Sequence, residues 1–418
     1  MAQLSDDCFA HGGALLPVDE AARLMAEHVP PVTEAETVTL ADAVGRILAD
    51  DLIAPIALPT FDNSAVDGYA VRDADVAREG ETRLLVVDRV FAGGGAERVV
   101  EAGEAIRIFT GAPMPAGADT VYMQEDSRRE GDAVIVPAGL KIGANRRLAG
   151  EDIKSGALAL PAGRRLQPQD VALAAALGFH MLPIRRRLRV ALLSTGNEIV
   201  EPGAALPAFG LYDSNRFLLM GLLRKLGVDV RDFGILTDDP AALVSAIEAA
   251  VTTHDLVLST GGVSTGEADH VKAAVEKLGR LVFWRLAIKP GRPVAMGVVG
   301  GKAFVGLPGN PVAVFVTFVH VVRPLILRLA GGSMEPTRAL PVRAAFSYRK
   351  KKGRREYVRV RLRPGSDGVL EAVKHPQEGA GIITSLTETD GLAELDENVT
   401  AIEPNTTVSF LSYRALID

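Results

Sequence analysis

The stretch Leu256-Val-Leu-Ser-Thr-Gly-Gly-Val-Ser-Thr-Gly-Glu-Ala-Asp269 decides the class of fold, because an apolar strand runs directly into a glycine-rich, acidic loop. A second stretch, Leu192-Leu-Ser-Thr-Gly196, repeats the strand and its Ser-Thr-Gly ending. From residue 188 onward strand, loop and helix patterns alternate, which predicts an α/β domain with a mainly parallel sheet. The carboxyl ends of such strands share one edge, where ligands bind. We therefore expect a site at this edge.

Two more glycine-bearing loops follow apolar runs, Lys289-Pro-Gly-Arg-Pro293 and Gly306-Leu-Pro-Gly-Asn-Pro311. Glycines let backbone N–H groups approach an anion, and Lys289 and Arg292 can neutralise a phosphate or another oxyanion. In the first loop, Glu267 and Asp269 can hold a hard cation, and Glu198 and Asp238 also follow predicted strands. These residues favour a phosphorylated ligand with Mg²⁺.

The rest of the chain divides into further modules, since 418 residues exceed one ordinary hydrophobic core. Helical spacing over residues 17–51 predicts two helices separated by Pro30-Pro31, the second of them over residues 40–48, and another helix is predicted over 168–177. Between them, residues 54–151 carry short β-prone runs, so a β-rich module is inserted into a helical one. A helix is predicted to begin at Asn310-Pro311. Beyond Gly331-Gly332 the chain is predicted to form a small β domain.

Composition excludes several functional classes. The only cysteine, Cys8, rules out an internal disulfide framework and a cysteine-based metal site within one chain. The seven histidines show no paired ligand spacing, so any metal is expected to have oxygen ligands. A net charge of −6 argues against general nucleic-acid binding. The N-terminus lacks a signal-peptide pattern and the apolar run within 312–329 is interrupted by charges, so we expect a cytosolic protein with no membrane span.

The N-terminal half contains polar motifs at predicted turns. Phe61-Asp-Asn-Ser-Ala-Val-Asp67-Gly-Tyr-Ala70 places two carboxylates and an amide together, although an Asx-turn satisfying its own backbone explains this equally well. Thr110-Gly-Ala-Pro-Met-Pro115 and the group Arg147 with Gly150-Glu-Asp152 are weaker signals, because ordinary surface loops have the same composition. No nucleophile elbow, P-loop or dinucleotide fingerprint is found at a strand-to-helix junction, which disfavours covalent catalysis and kinase chemistry.

Together these motifs resemble one family, the molybdopterin molybdenumtransferases, which include the E domain of gephyrin. Seven motifs occur in the family's order from about residue 15 to the end of the chain. They are Phe61–Ala70, Phe109-Thr-Gly-Ala-Pro113, Gly150-Glu-Asp152, Ser194-Thr-Gly-Asn-Glu198, Gly261-Gly-Val-Ser-Thr-Gly-Glu-Ala-Asp269, Ile288-Lys-Pro-Gly-Arg-Pro293 and Gly306–Pro311.

The resemblance implies an elongated subunit of four parts. These are a split helical domain (15–53 and 152–186), an inserted β domain (54–151), an α/β domain like the pathway adenylyltransferase (187–336) and a C-terminal β-barrel (337–418). It also implies a homodimer, in which the cleft lies between the α/β domain of one subunit and the β-rich region of the other, and a transient contact with the adenylyltransferase.

The implied substrates are adenylylated molybdopterin and molybdate, the products are molybdenum cofactor and AMP, and the implied metal is Mg²⁺. Such a reaction cleaves a phosphoanhydride and delivers an oxyanion to a dithiolene, which suits carboxylate-held metal and fixed cations.

Residue by residue, the resemblance assigns roles to these positions. Asp67, Thr110 and Asp152 match functional positions in the N-terminal half, and Glu198, Asp238 and Asp269 match those in the α/β domain. We expect Glu198 and Asp238 to hold Mg²⁺ and water, and Asp269 to recognise the pterin. The same pocket would be shaped by Ser264, Pro308 and Pro311, and the candidates for holding molybdate or phosphate are Arg147, Lys289, Arg292 and Arg354.

Three positions depart from the family pattern. Asn197 stands where an Asp is usual beside the catalytic Glu, which removes one metal carboxylate. Ala380 lies where a Ser is frequent, so a hydroxyl for molybdate is absent. Val66 replaces a common Met and changes only packing.

Two rival functions remain open at this stage. The first is the adenylyltransferase of the same pathway, whose domain resembles residues 187–336 alone. The second is a non-enzymatic dimeric scaffold, the role that gephyrin adds at synapses.

Overall fold

A computed structural model of the protein describes residues 15–28, 30–263, 270–333 and 337–417. The chain forms a split domain, an inserted domain, an α/β domain and a C-terminal domain, each with its own sheet or strand pairs. This arrangement confirms the fold class expected from the sequence.

The α/β domain is built on a six-stranded sheet. Four strands are parallel, and the two at one edge run antiparallel to their neighbours. In spatial order the strands are Asp229–Leu236, Arg189–Thr195, Leu256–Thr260, Lys302–Leu307, Pro293–Val299 and Gly279–Arg285. The prediction of a mainly parallel sheet is therefore confirmed, and both Ser-Thr-Gly stretches end neighbouring strands at the same edge.

Helices cover both faces of this sheet. Helices Pro240–Thr253 and His270–Leu278 contribute to the apolar core on one face. Helix Ser214–Lys225 and the long segment 311–329 contribute to the other core. Asp239 caps the first of these helices by accepting hydrogen bonds from two backbone N–H groups, and Pro240 follows as its first residue.

The long segment 311–329 is one continuous helical rod with a wide central turn. It comprises the α-helix Pro311–Thr317, a π-helical turn Phe318–Val322 and the α-helix Arg323–Leu329. The π turn ends two residues before Pro324, which has no N–H to donate to the preceding turn. Within the described ranges this is the one helix long and apolar enough to cross a membrane, but 72% of its most apolar window is buried inside the protein. Its apolar surface therefore forms the core of the α/β domain.

The C-terminal domain is a closed five-stranded barrel. The strands pair in the order Arg355–Pro364, Leu370–Lys374, Leu340–Ala344, Thr407–Ser412 and Gly391–Leu395, and the last pairs with the first. Its smaller elements are the strand pair Tyr348–Arg349 with Ala401–Ile402 and the short helices Thr384–Thr387 and Tyr413–Ile417. The two-residue strand Ile288–Lys289 of the α/β domain pairs with Arg355–Glu356 of the barrel. This pairing fixes Lys289 at the junction of the two domains.

The inserted domain contains a second six-stranded sheet. Its strands, in spatial order, are Thr120–Met123, Gly68–Val71, Glu104–Ile108, Glu81–Val90, Ala133–Pro137 and Arg128–Glu130. The domain is joined to the rest of the chain by the paired strands Leu52–Ile53 and Leu158–Leu160. The entering and leaving segments of the chain are thus adjacent.

The split domain is assembled from both of its predicted segments, but its second predicted helix is wrong. Strand Ala35–Thr39 pairs with Met181–Arg185, and helix Pro168–Ala176 covers them as expected. The helix expected over residues 40–48 spans only Leu40–Ala43, because Gly45 adopts a φ of +79° and the following residues form extended bridges. Helix Val18–His28 packs on the core of the α/β domain.

Candidate active site

The carboxyl edge of the parallel strands carries two of the predicted acidic residues of the α/β domain. Glu198 is exposed just beyond strand Arg189–Thr195, and Asp238 follows the neighbouring strand Asp229–Leu236. The Asn197 side chain joins the two loops, because its Oδ1 accepts the backbone N–H of Asp238 at 3.1 Å. The departure at Asn197 thus has a structural role, since an amide oxygen holds the Asp238 loop beside Glu198.

Among the described residues, this edge holds no larger acidic cluster that could bind a metal ion. Within residues 15–28, 30–263, 270–333 and 337–417, no group of three or more His, Cys, Asp or Glu side chains is placed to hold a metal ion. Two carboxylates still suit Mg²⁺, which keeps several waters and usually takes its remaining ligands from substrate phosphates. The predicted residues Ser264, Glu267 and Asp269 lie outside the described residues.

A hydrogen-bond network links the central loops of the same edge. Asn215 Nδ2 donates to Thr260 Oγ1 at 3.1 Å and to the carbonyl oxygen of Gly309 at 2.7 Å. Thr260 Oγ1 in turn donates to the carbonyl oxygen of Pro308 at 3.1 Å. Asn215 therefore ties the first glycine loop to the Gly306–Pro311 loop. Asn215 was not predicted from the sequence, where its position two residues after the helix N-cap Asp213 is the local signal that it lies at this edge.

Beyond the Gly306–Pro311 loop lies a cavity of about 310 Å³ between the α/β domain and the barrel. Five Lys or Arg side chains and one carboxylate line it. Among the predicted residues, Lys289, Arg292, Pro308 and Arg354 are in the lining, and Ala380 is on the barrel side. Pro311 is the first residue of the adjacent helix, between the lining residues Asn310 and Ala313. The cavity is therefore a cationic space of a size that fits a small oxyanion.

Two of the predicted cations share a buried carboxylate, Glu356, which was not among the predicted residues. Glu356 Oε1 accepts from Arg354 Nε at 2.6 Å, and Glu356 Oε2 accepts from Tyr348 Oη at 2.7 Å. Lys289 Nζ donates to Tyr348 Oη at 3.0 Å and lies 3.4 Å from Glu356 Oε2. Burial, followed by the bond to Glu356, raises the pKa of Tyr348 well above its usual value, so its hydroxyl stays protonated.

Gly291 allows the Lys289–Pro293 loop to pack closely, and we expect Gly291→Ala to displace that loop. Its φ is +105°, and an added Cβ would lie 2.6 Å from Thr317 Cγ2. Strain and crowding together should lower the free energy of unfolding by about 2–5 kcal/mol, measured by urea denaturation. The matched control is Gly301→Ala, which has a φ of +75° and nothing within 4 Å of the added Cβ. An equal loss in both variants would show that crowding at Gly291 has no effect.

In the inserted domain, Asp67 and Thr110 are in direct contact. Asp67 Oδ1 accepts both the backbone N–H of Thr110, at 2.8 Å, and its hydroxyl, at 2.7 Å. These hydrogen bonds, the backbone one first, lower the pKa of Asp67 below its ordinary value. The carboxylate is therefore ionised and held in one orientation. An Asx-turn would bond Asp67 only to its own neighbouring backbone, whereas here it bonds the distant residue Thr110.

The remaining predicted residues of this half, Arg147 and Asp152, pair through their backbones with the segment that precedes Asp67. Arg147 pairs with Asn63 in a short antiparallel ladder formed by Asn63–Ser64 and Arg146–Arg147. The backbone N–H of Asp152 donates to the carbonyl oxygen of Leu58 at 3.1 Å. Asp67, Thr110 and Arg147 thus lie in the inserted domain, and Asp152 directly follows it. The hydrogen bonds described for these four residues stay within the inserted domain and the segments that connect it to the split domain. Those of the Glu198 and Asp238 loops stay within the α/β domain.

Replacing Thr110 by Val should raise the pKa of Asp67 toward its ordinary value, because one of the two hydrogen bonds that stabilise the carboxylate is lost. Since a lowered pKa keeps Asp67 ionised in mildly acidic solution, activity should fall at a higher pH in this variant than in the wild type. NMR titration of the Asp67 carboxyl carbon measures the change directly. The control Thr110→Ser keeps the hydroxyl and should leave the titration where it is, whereas an unmoved titration in Thr110→Val would rule out this contribution.

Comparison with known proteins gives matches along nearly the whole chain. Three protein-family models match: "MoeA N-terminal region (domain I and II)" over residues 16–178, "Probable molybdopterin binding domain" over 191–328 and "MoeA C-terminal region (domain IV)" over 341–413. The molybdopterin molybdenumtransferase of Haemophilus influenzae is 38% identical over 406 residues, which cover 96% of this chain and 100% of that protein. The relative of the same name from Synechococcus elongatus is 36% identical and covers 87% of this chain and 91% of its own.

Solved structures give the same result. A crystal structure described as molybdopterin biosynthesis MoeA protein from Pyrococcus horikoshii OT3 superposes with a TM-score of 0.81 at 30% identity. The alignment covers 96% of this chain and 100% of that one.

Proposed function

This chain belongs to the molybdopterin molybdenumtransferase family, and from that premise we propose that it inserts molybdenum from molybdate into adenylylated molybdopterin and releases AMP. Membership makes it a transferase of molybdenum cofactor biosynthesis. The adenylylated form of the substrate and the release of AMP are the proposed details.

The observation that carries this proposal is the cationic cavity beside the carboxyl edge of the sheet. Lys289, Arg292 and Arg354 line it, and donors of this kind bind oxyanions through charge-assisted hydrogen bonds. Glu198 and Asp238 lie at the same sheet edge, where a phosphoanhydride would meet them. Molybdate would occupy the cavity, and the nucleotide would lie along the edge.

Mg²⁺ is the proposed metal, and Glu198 and Asp238 are the residues that would hold it. When bound, it would supply positive charge to the phosphate oxygens as the phosphoanhydride breaks. The protein residues orient the reaction: Asn197 holds the Asp238 loop beside Glu198, and Lys289 and Arg354 present donors to the oxyanion.

The proposed assembly is a homodimer in the cytoplasm. Asp67, Thr110 and Arg147 of the inserted domain, with Asp152 directly after it, would form the second wall of the cleft, supplied by the other subunit. The exposed position and fixed orientation of the Asp67 carboxylate support this, because a rigid ionised group at a surface suits a site completed by another chain. A transient contact with the pathway adenylyltransferase would deliver the substrate.

A reconstituted reaction tests the proposal. Purified protein is incubated with adenylylated molybdopterin, molybdate and Mg²⁺, and AMP and molybdenum cofactor are quantified; we expect both to form only when molybdate is present. A parallel reaction with molybdopterin, ATP and molybdate tests the rival adenylyltransferase. Adenylylation without molybdate consumption would reject the transferase reaction. A non-enzymatic scaffold would produce neither AMP nor cofactor in either reaction.

A further inference from the structure

The buried carboxylate Glu356 lies behind the two cations of the cavity and accepts a hydrogen bond from Tyr348, which lines the cavity beside them. Glu356 is 1% exposed, whereas the Lys289 and Arg354 side chains are 41% and 30% exposed. The carboxylate is therefore shielded from solvent, and its two partners extend from it toward the cavity. A buried charge is tolerated when it is paired and hydrogen-bonded, and Glu356 has three such partners.

The way in which each cation is bonded determines which donors remain for a ligand. Arg354 contacts Glu356 through Nε, and within the described part of the chain its two Nη groups make no hydrogen bond. The Lys289 ammonium group donates one N–H to Tyr348, and Glu356 lies on the same side of it. Its remaining N–H groups therefore point away from this pair. Both side chains line the cavity, so the unused donors are available to an anion there.

We propose that Glu356 and Tyr348 are positioning residues of the oxyanion site: they fix Lys289 and Arg354 so that their unused N–H groups converge on one anion. The inference rests on the proposed oxyanion site in the cavity. The single hydroxyl proton of Tyr348 is donated in the hydrogen bond to Glu356, so the oxygen lone pairs accept the hydrogen bond from Lys289. The order Lys289, Tyr348, Glu356 is therefore fixed, and the strand pairing of Ile288–Lys289 with Arg355–Glu356 fixes the backbones that carry it.

This role predicts the sign of a charge change. Glu356→Gln makes the site more positive by one unit of charge. If Glu356 only balanced the charge of the cations, its replacement by Gln would tighten anion binding. A positioning carboxylate gives the opposite result, because the Gln amide cannot accept from Arg354 and Tyr348 at both of its ends. We expect Glu356→Gln and Tyr348→Phe each to weaken molybdate binding by about tenfold.

Molybdate binding to the full-length protein, measured by calorimetry alongside the thermal unfolding temperature, tests this. Lys289→Gln is measured first: if it leaves the affinity unchanged, or if the wild type does not bind molybdate, the proposed oxyanion site itself fails. If Lys289→Gln weakens binding but Tyr348→Phe and Glu356→Gln leave it unchanged or tighten it, only the positioning role fails. Glu371→Gln is the control, since Glu371 bonds Arg343 in the same barrel and is not among the lining residues.

A double-mutant cycle separates positioning from a general structural effect. Because Tyr348 acts through Lys289, Tyr348→Phe should lose most of its effect on molybdate affinity in the Lys289→Gln background. An effect of equal size in both backgrounds would overturn the proposal. Tyr348→Phe keeps the aromatic ring and its packing, so its molybdate affinity can be measured even if Glu356→Gln does not fold.

Discussion

Replacing Glu198 by Gln is expected to lower the rate of AMP release by about a hundredfold or more, the range typical of removing a residue that acts directly on the reacting groups. Gln has the same shape but no charge, so it holds Mg²⁺ and a nucleophilic water far less well. Glu198 is exposed, and its side chain makes no hydrogen bond among the described residues, so the fold should be unaffected.

The measurement is AMP release under saturating molybdate, followed by chromatography, with thermal unfolding recorded in parallel. The control Glu248→Gln makes the same change on an exposed position of helix Pro240–Thr253 and should leave the rate unchanged. Release at the wild-type rate from Glu198→Gln would remove this residue from the mechanism.

Mixed dimers provide the second test with a large expected effect. Asp67→Asn and Glu198→Gln should each be almost inactive as homodimers. If every site combines Asp67 of one subunit with Glu198 of the other, a heterodimer of the two variants contains one intact site and one doubly altered site. The purified heterodimer should then recover about half of wild-type activity, because a two-fold dimer has two equivalent sites.

The heterodimer is isolated by co-expression with two different affinity tags. A heterodimer of wild type with the chain carrying both substitutions is the matched control, since each of its sites then lacks one of the two residues. That control should be almost inactive. An inactive Asp67→Asn/Glu198→Gln heterodimer, or an active control, would place both residues in a site within one subunit.

The α/β domain was predictable because its signals are local. At Glu198 the sequence runs directly from an apolar strand through a glycine turn to a carboxylate. Parallel strands bring such loops to one edge of the sheet, and this does not depend on the rest of the fold. The sheet order confirms this for both Ser-Thr-Gly strands. The helix predicted over residues 40–48 was wrong because its apolar spacing suits bridging segments equally well, and Gly45 ends it early.

The cavity was predictable only in part, because its contacts join distant segments. Tyr348, Glu356 and Lys289 meet only when the barrel closes and a strand of the α/β domain pairs with it. Arg359 alternates with the apolar residues Val358 and Val360, a pattern typical of a solvent-facing position, yet it is 5% exposed and donates to Ser385 Oγ and two backbone carbonyl oxygens. Local pattern fails there because tertiary hydrogen bonds compensate for burying the guanidinium.

The amide at position 197 has a consequence for how the substrate approaches. Asn197 keeps the acceptor that the Asp238 N–H needs, but it adds no negative charge beside Glu198 and Asp238. An aspartate there would repel an incoming polyanion, and this repulsion would extend over about a Debye length, roughly 8 Å at physiological ionic strength. The asparagine therefore reduces the electrostatic barrier to diffusional encounter, and the association rate should depend less on salt than in an Asn197→Asp variant.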